Sequence, residues 1–201
     1  MRHVNRMCRM GKLIGAGMIL SALSMSATAG IVWDEAVDGQ LSTDRFTPTD
    51  FGTLATGSND VIGTTVSGIS KFFTFTIEEG TQLSALIVEG WESVDDLGFL
   101  GVVTGDWFSV DPANPNVGDL LGYAHYGTLD VGQDILPTMG SGPGSQGFTA
   151  PLGPGDYSFW VRQGGADPAT WDLNFVVTPI PAPAGLAVLA LAGVAGRRRR
   201  R

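Results

Sequence analysis

The chain has 201 residues, and its charges are divided sharply between the middle and the two ends. All 20 acidic residues lie between Asp34 and Asp172, whereas nine of the 12 basic residues lie outside that span. With three basic and 20 acidic residues, positions 30–178 carry a net charge of −17, which repels phosphate backbones and excludes a nucleic-acid role. The single cysteine, Cys8, precedes this region, which excludes disulfide frameworks, thiolate zinc sites and cysteine nucleophiles from it.

Residues 1–29 have the pattern of a secretory signal peptide. Four basic residues within the first twelve precede an uncharged apolar run at positions 13–25. The small residues Ala27 and Ala29 follow, which predicts cleavage by signal peptidase after Ala29. A membrane-anchoring helix is the alternative. It is disfavoured because this run, at about 1.5 Å per residue, covers roughly 20 Å of a hydrocarbon core about 30 Å thick.

Residues 30–178 are predicted to form a single all-β domain, an antiparallel β-sandwich or jelly roll of about nine short strands. No stretch keeps an apolar period of 3.6 residues for three turns, whereas three segments alternate with period two. Their predicted inward positions are Phe73, Phe75, Ile77, Tyr157, Phe159, Val161, Trp171, Leu173, Phe175 and Val177. The predicted outward positions of the middle segment are Asp156, Ser158, Trp160 and Arg162.

Two further runs, at 82–89 and 97–103, are apolar on both faces. This pattern predicts central strands that are covered by a second sheet. The stretch from 132 to 147 is the least strand-like part of the domain, and a short helical turn is expected at residues 133–136.

Three segments of this body carry a family resemblance: residues 38–42 (DGQLS), 72–76 (FFTFT) and 155–161 (GDYSFWV). Together they resemble the β-sandwich modules called bacterial pre-peptidase carboxyl-terminal domains, which occur in exported proteins. The resemblance covers most of residues 31–177 and implies a β-sandwich fold for them.

Groups suited to catalysis are few. His125 is the one histidine of the body, and no Gly-x-Ser-x-Gly elbow occurs in the chain. We expect His125 to be a partly buried, hydrogen-bonded residue on a strand. Paired carboxylates can hydrolyse glycosides, and the densest acidic cluster, predicted to lie in a loop around Trp91, is Glu89, Glu92, Asp95 and Asp96. We predict a non-catalytic protein and keep a secreted carboxylate-based hydrolase as an alternative.

Two sets of residues are suited to ligand binding. Four oxygen-bearing side chains in a proline-rich loop are of the kind that calcium takes: Asp111, Asn114, Asn116 and Asp119. Their alternative role is to close the turn through side-chain hydrogen bonds. Four aromatic side chains expected on outward faces or near loops form a candidate patch for sugars or a protein partner: Phe72, Trp91, Trp107 and Trp160.

The carboxyl-terminal segment, 179–201, differs from the body in composition. A proline-rich stretch that contains Pro181, Ala182 and Pro183 is followed by an uncharged apolar run at 184–196. The chain then ends on five arginines, Arg197, Arg198, Arg199, Arg200 and Arg201. A short apolar helix before a cationic cluster is typical of a stop-transfer signal whose arginines stay in the cytoplasm.

These tail residues resemble the PEP-CTERM sorting signal of bacteria, in which a Pro-Glu-Pro motif, a short transmembrane helix and a basic end are recognised by an exosortase. Ala182 stands where that motif has its glutamate. The resemblance implies transient anchoring in the inner membrane and cleavage by an exosortase-like protease. A permanently retained anchor is the alternative.

The sequence as a whole predicts an exported, non-catalytic protein of the cell surface, outer envelope or extracellular matrix, with a structural or adhesive role. Its expected partners are signal peptidase, the sorting protease and extracellular polysaccharide. A calcium-dependent carbohydrate-binding module is the main alternative, and calcium is the one cofactor we retain as a candidate.

Overall fold

The structure is a computed structural model, and it describes residues 30–181. The predicted signal peptide and the tail from Ala182 onward lie outside the described residues. Within the described range are two short helices, α1 (Glu35–Asp38) and α2 (Leu136–Gly140). The nine strands are β1 (Gly30–Asp34), β2 (Thr49–Thr53), β3 (Asn59–Thr65), β4 (Ser70–Ile77), β5 (Thr81–Glu92), β6 (Gly98–Thr104), β7 (Gly122–Tyr126), β8 (Gly155–Gln163) and β9 (Ala169–Pro179).

The strands form two sheets, which confirms the predicted all-β, sandwich-like class. One sheet has four strands in the order β1-β3-β9-β5, and the other has five in the order β2-β4-β8-β6-β7. The expectation of purely antiparallel sheets was wrong, because β1 pairs with β3, and β2 with β4, in parallel. The chain passes from one sheet to the other after each of its first five strands. After two such crossings it is back in its original sheet, and the new strand runs parallel to the earlier one, as β3 does to β1 and β4 does to β2. Period-two alternation predicts burial and does not predict strand direction.

The inward faces of β4, β8 and β9 carry the core that the alternation predicted. Phe73 and Phe159 stack with ring centroids 5.3 Å apart. Phe175 of the other sheet meets Phe73, Phe75 and Phe159 edge-on, at centroid distances of 5.8, 5.1 and 5.2 Å. Aromatic pairs of this kind add about 0.5–1.5 kcal/mol each beyond the area that they bury. This group of phenylalanines therefore joins the two sheets.

The two strands predicted to be central differ in position. β6 lies between β7 and β8, as expected. β5 is an edge strand, and this prediction was wrong. Its outer edge is hydrogen-bonded by irregular chain, with Ile135 N donating to Leu86 O at 2.8 Å and Val88 N donating to Gln133 O at 3.1 Å. Because residues 131–135 are held in this pairing, helix α2 begins at Leu136, three residues later than the predicted helical turn.

A second apolar layer covers the outer face of the five-stranded sheet. Phe72 and Trp160 lie on this face, away from the core between the sheets, and were predicted to be exposed. They are only 2% and 3% exposed, because the segment between β6 and β7 packs over them with Phe108, Val110 and Leu120. Ser158, which lies in β8 with Trp160 and was also predicted to face outward, is completely buried.

One ion pair is buried between the sheets at the start of β4. Lys71 has the same strand parity as Phe73, so it points inward and is 4% exposed. Its Nζ donates to Glu35 Oε2 at 2.7 Å and to Gln40 Oε1 at 2.7 Å. Glu35 also accepts from Leu41 N at 2.7 Å and from Thr64 N at 2.8 Å. Helix α1 is thus fixed against both sheets by a single carboxylate.

Burial raises the pKa of Glu35, but its hydrogen bonds from Lys71, Leu41 and Thr64 lower it by more. The net result is a pKa below the ordinary value of 4.5, so the carboxylate is ionised at neutral pH. This is the one salt bridge among residues 30–181.

Candidate functional site

A cleft of about 530 Å³ opens on the outer face of the five-stranded sheet. Its floor comes from β4 and β8, and its walls come from the turn before β4 and from two irregular loops. The lining residues are Thr43, Asp44, Arg45, Phe46, Gly68, Ile69, Ser70, Phe72, Asp111, Pro112, Ala113 and Arg162. They are brought together from segments far apart in the chain, so no contiguous motif marks the cleft.

The cleft contains both arginines of the described residues. Of the three basic residues in the acidic body, Lys71 is buried against Glu35, and the other two, Arg45 and Arg162, line this cavity. The Glu35–Lys71 pair is the one contact within 4.0 Å between a basic nitrogen and a carboxylate oxygen across positions 30–181. Neither arginine therefore has a carboxylate oxygen within that distance. Two cations without ion-pair partners therefore lie together in a domain of strongly negative net charge.

Arg45 is held in place by the loop opposite. Its Nη1 donates to the carbonyl oxygens of Phe108 and Ser109 at 3.1 and 3.0 Å. In return, Phe108 N donates to the carbonyl oxygen of Arg45 at 2.8 Å. The guanidinium carbon lies 4.0 Å from the centroid of the Phe46 ring, a cation–π contact. These contacts fix the guanidinium before any ligand arrives.

Arg162 lies in β8, where it pairs with Ser70 of β4 and Phe99 of β6. Its side chain is partly buried. The Nε atom is shielded from solvent and has no hydrogen-bond partner among the residues that the structure describes. A guanidinium offers five N–H donors, and leaving one buried and unpaired costs free energy. The Arg162 charge is therefore less well solvated than that of an ordinary surface arginine.

Two carboxylates, Asp44 and Asp111, also line the cleft, and both are exposed. Each closes its own turn: Asp44 Oδ1 accepts from Phe46 N at 2.9 Å, and Asp111 Oδ1 accepts from Ala113 N at 3.0 Å. Such side-chain turns leave further lone pairs on each carboxylate free to accept. The cleft thus combines cationic donors with anionic acceptors.

An exposed aromatic pair extends the cleft at its rim. Phe46 lines the cavity and stacks on Trp107, with ring centroids 5.5 Å apart and an angle of 26° between the planes. The two side chains are 58% and 43% exposed. Contiguous exposed apolar surface often marks an interaction site.

The predicted aromatic patch is not assembled. Of its four members only Trp107 is exposed, and Phe72 and Trp160 are buried under the loop between β6 and β7. Trp91 is 7% exposed and packs edge-on against Tyr126 in the core between the sheets. The predicted patch did not include Phe46. A signal was present, because Phe46 stands in a polar turn sequence without alternation, and such a ring is not expected to pack on a sheet.

A smaller cleft, of about 200 Å³, lies further along the same face of the sheet. Phe99, Tyr123 and His125 form one side of it, with the Phe99 and His125 rings 5.5 Å apart. His125 lies on a strand, as predicted. The expectation of a partly buried histidine was wrong, because β7 is the edge strand and His125 points to its open outer face.

The four residues considered for calcium lie in the loop between β6 and β7 and bond within it. Asn116 Oδ1 accepts from Gly118 N at 3.2 Å, and Asn116 Nδ2 donates to Asp119 Oδ2 at 3.1 Å. Asp111 closes the turn that contains Asn114. Across positions 30–181, no group of three or more His, Cys, Asp or Glu side chains is arranged to hold a metal ion.

The acidic cluster around Trp91 is not a loop cluster, because Glu89 and Glu92 belong to β5. Asp95 Oδ2 accepts from the backbone N–H groups of residues 166 and 167 at 2.7 and 2.9 Å. Asp96 Oδ1 accepts from Thr128 Oγ1 at 2.6 Å and from its backbone N–H at 2.9 Å. Those bonds from Thr128 lower the pKa of Asp96. Asp95 and Asp96 thus each stabilise a different turn.

Glu89 of that cluster belongs to a group of carboxylates on the outer face of the four-stranded sheet, together with Asp34, Asp60 and Asp172. Burial raises the pKa of Asp172 to about 6, and the charges of Asp60, Glu89 and Asp34 act in the same direction. Burial and the charge of Glu89 also raise the pKa of Asp60. These side chains repel one another, so this face costs folding free energy at neutral pH.

No protein-family model, curated protein or solved structure matches this chain. Across residues 30–181, no helix has both the length and the apolar character needed to cross a membrane. The function of the protein has therefore to be inferred from the geometry of the clefts.

Proposed function

We propose that the protein is an exported, non-catalytic carbohydrate-binding element of the cell surface or extracellular matrix, with an adhesive role. The observation that carries this proposal is the larger cleft, which is lined by the fixed guanidinium of Arg45, the guanidinium of Arg162 and two carboxylates, with an exposed aromatic pair at its rim. Sites that bind small ligands combine apolar surface with convergent polar groups, and this cleft has both, with polar and charged side chains as half of its lining.

The chemistry of the cleft matches a sugar ring. Hydroxyl groups both donate and accept, so they satisfy the exposed oxygens of Asp44 and Asp111 as well as the N–H groups of the arginines. Trp107, whose ring stacks on Phe46 and is 43% exposed, offers a flat apolar surface to the C–H face of a pyranose. Both kinds of contact are reversible binding contacts, which suits adhesion.

Export and sorting belong to the same proposal. Signal peptidase cuts after Ala29, and an exosortase-like protease acts near Pro181, Ala182 and Pro183 while the apolar run and arginines hold the chain in the inner membrane. The limits of the folded body support this scheme. The described strands, from β1 (Gly30–Asp34) to β9 (Ala169–Pro179), lie between the two proposed cuts, so neither cut removes a described strand.

The test is saccharide binding by the protein purified after expression of the full chain in a bacterial host. A glycan array identifies a bound oligosaccharide, and titration calorimetry then measures its affinity for the wild type, Phe46→Ala and Trp107→Ala. Loss of one buried ring face weakens binding by about tenfold or more. Val94→Ala is the control, because Val94 is 87% exposed and does not line the cleft. Absence of binding on the array, or equal affinity in all variants, contradicts the proposal.

A further inference from the structure

We infer that the saccharide bound by this cleft is acidic, and that the guanidinium of Arg162, together with that of Arg45, receives its carboxylate. The inference rests on the proposed function and adds to it the chemical class of the ligand. It follows from the charge state, burial and hydrogen bonding of the groups that line the cleft.

The first argument is the state of Arg162. Its side chain is partly withdrawn from water, its Nε is shielded without a hydrogen-bond partner, and no carboxylate among the described residues pairs with it. In such a position the surroundings have a lower effective dielectric constant than water, so an arriving anion is attracted more strongly than at an open surface. A ligand carboxylate supplies the counter-charge that the protein does not. Planar carboxylates also match the fork of the guanidinium.

The second argument is preorganisation. Arg45 is held by two carbonyl oxygens and by the Phe46 ring, and both carbonyl bonds use Nη1. Its side chain therefore loses little conformational freedom when an anion binds. Because Arg45 and Arg162 both line the cleft, two positive charges act on a group placed there.

The third argument limits the charge of the ligand. Asp44 and Asp111 face the same cavity, so the four charged groups of the cleft sum to zero. The two carboxylates are exposed and well screened by water, whereas the two arginines are partly buried, so the positive charge of Arg162 dominates close to the floor and that of Arg45 close to the wall. The body as a whole carries −17 and repels a densely sulfated or phosphorylated polymer. These facts favour isolated carboxylates separated by hydroxyl groups, as in chains of hexuronic acids.

The experiment compares oligouronates with their own methyl esters. The ester keeps the ring and its hydroxyl groups and removes the charge. The probes are trimers of galacturonate, glucuronate and mannuronate, each titrated as acid and ester into the protein purified after expression of the full chain. We expect at least one acid to bind about tenfold to a hundredfold more tightly than its ester, with the difference shrinking as salt is raised.

Arg162→Gln removes the cationic floor and is expected to weaken the binding of the acid much more than that of the ester, so that the acid-to-ester affinity ratio falls towards one. Arg162→Lys keeps the charge without the planar fork and should restore part of the acid preference. Thermal unfolding of each variant tests whether the fold is retained. If Arg162→Gln itself unfolds, the acid-to-ester ratio of the wild type and of Arg162→Lys still decides the matter.

The outcomes separate this inference from the proposed function. Equal affinity for acid and ester, or binding of neutral saccharides alone, overturns the acidic ligand and leaves carbohydrate binding intact. Tight binding of the acids that is insensitive to Arg162→Gln overturns the assignment of the carboxylate to this cleft. No binding of any saccharide, charged or neutral, overturns both.

Discussion

Replacing Lys71 by methionine removes one partner of the buried ion pair while keeping an unbranched side chain of similar length. Glu35 then remains buried, with Leu41 N and Thr64 as its remaining donors. Removing one member of a buried pair costs about 3–5 kcal/mol, because the other charge is left uncompensated. A domain of this size has a total stability of roughly 5–15 kcal/mol, so Lys71→Met should lose a large fraction of it.

The pH dependence of this loss makes the test specific. In the wild type the pKa of Glu35 is lowered. Its contribution to the free energy of unfolding is therefore fully present above the ordinary pKa of 4.5 and is lost as the pH falls through the lowered pKa. In Lys71→Met the effect of burial remains and the largest opposing interaction is gone, so we expect the pKa of Glu35 to be raised by its burial. The variant should therefore be most destabilised near pH 8 and should recover stability as the pH is lowered towards 5.

Urea unfolding followed by tryptophan fluorescence measures the free energies at both pH values. Glu35→Gln, which leaves Lys71 charged and unpaired, should cost a similar amount at pH 8. The double variant Glu35→Gln/Lys71→Met should be more stable than either single variant, because no unpaired charge remains. If each single change costs less than about 1 kcal/mol and the two effects add, the pair behaves like an exposed one and the reasoning is refuted.

Three further predictions concern the carboxylates on the outer face of the four-stranded sheet, the loop between β6 and β7, and the carboxyl-terminal tail. Folding raises the pKa of Asp172 from 3.8 to about 6, so the stability of the wild type should fall as the pH rises through this range. Asp172→Asn should remove this fall and raise the melting temperature at pH 7. A variant with the pH profile of the wild type would contradict the prediction. Because Asn116 and Asp119 bond to each other within the loop, we expect millimolar calcium to leave the melting temperature unchanged, and this result eliminates the calcium-dependent module; a rise that Asp119→Ala abolishes would show that the loop binds calcium. Serine at positions 197–201 should leave the chain uncut, whereas recovery of wild-type protein with Arg201 in the inner membrane would show a permanent anchor.

The strands that alternate clearly were predictable from the sequence, and those whose burial depends on the rest of the chain were not. β4, β8 and β9 place Phe73, Phe75, Phe159 and Phe175 in the core between the sheets, as period-two alternation requires. The burial of Phe72 and Trp160 depends on a covering segment with no periodicity, so alternation alone assigned them to solvent. β5 is apolar on both faces like a central strand, yet irregular chain at 131–135 pairs with its edge in place of another strand.

The larger cleft shows why the site was harder to predict than the fold. Arg45 and Arg162 are separated by most of the body, and what brings them to one cavity is the pairing of β4 with β8 and the anchoring of Arg45 to the loop after β6. Composition did contain one usable signal. Among three basic residues against 20 acidic ones, strand parity places Lys71 inward, which leaves two arginines as the cations available to a ligand. In an acidic domain the few basic side chains that are not buried in ion pairs are the first positions at which to look for an anion site.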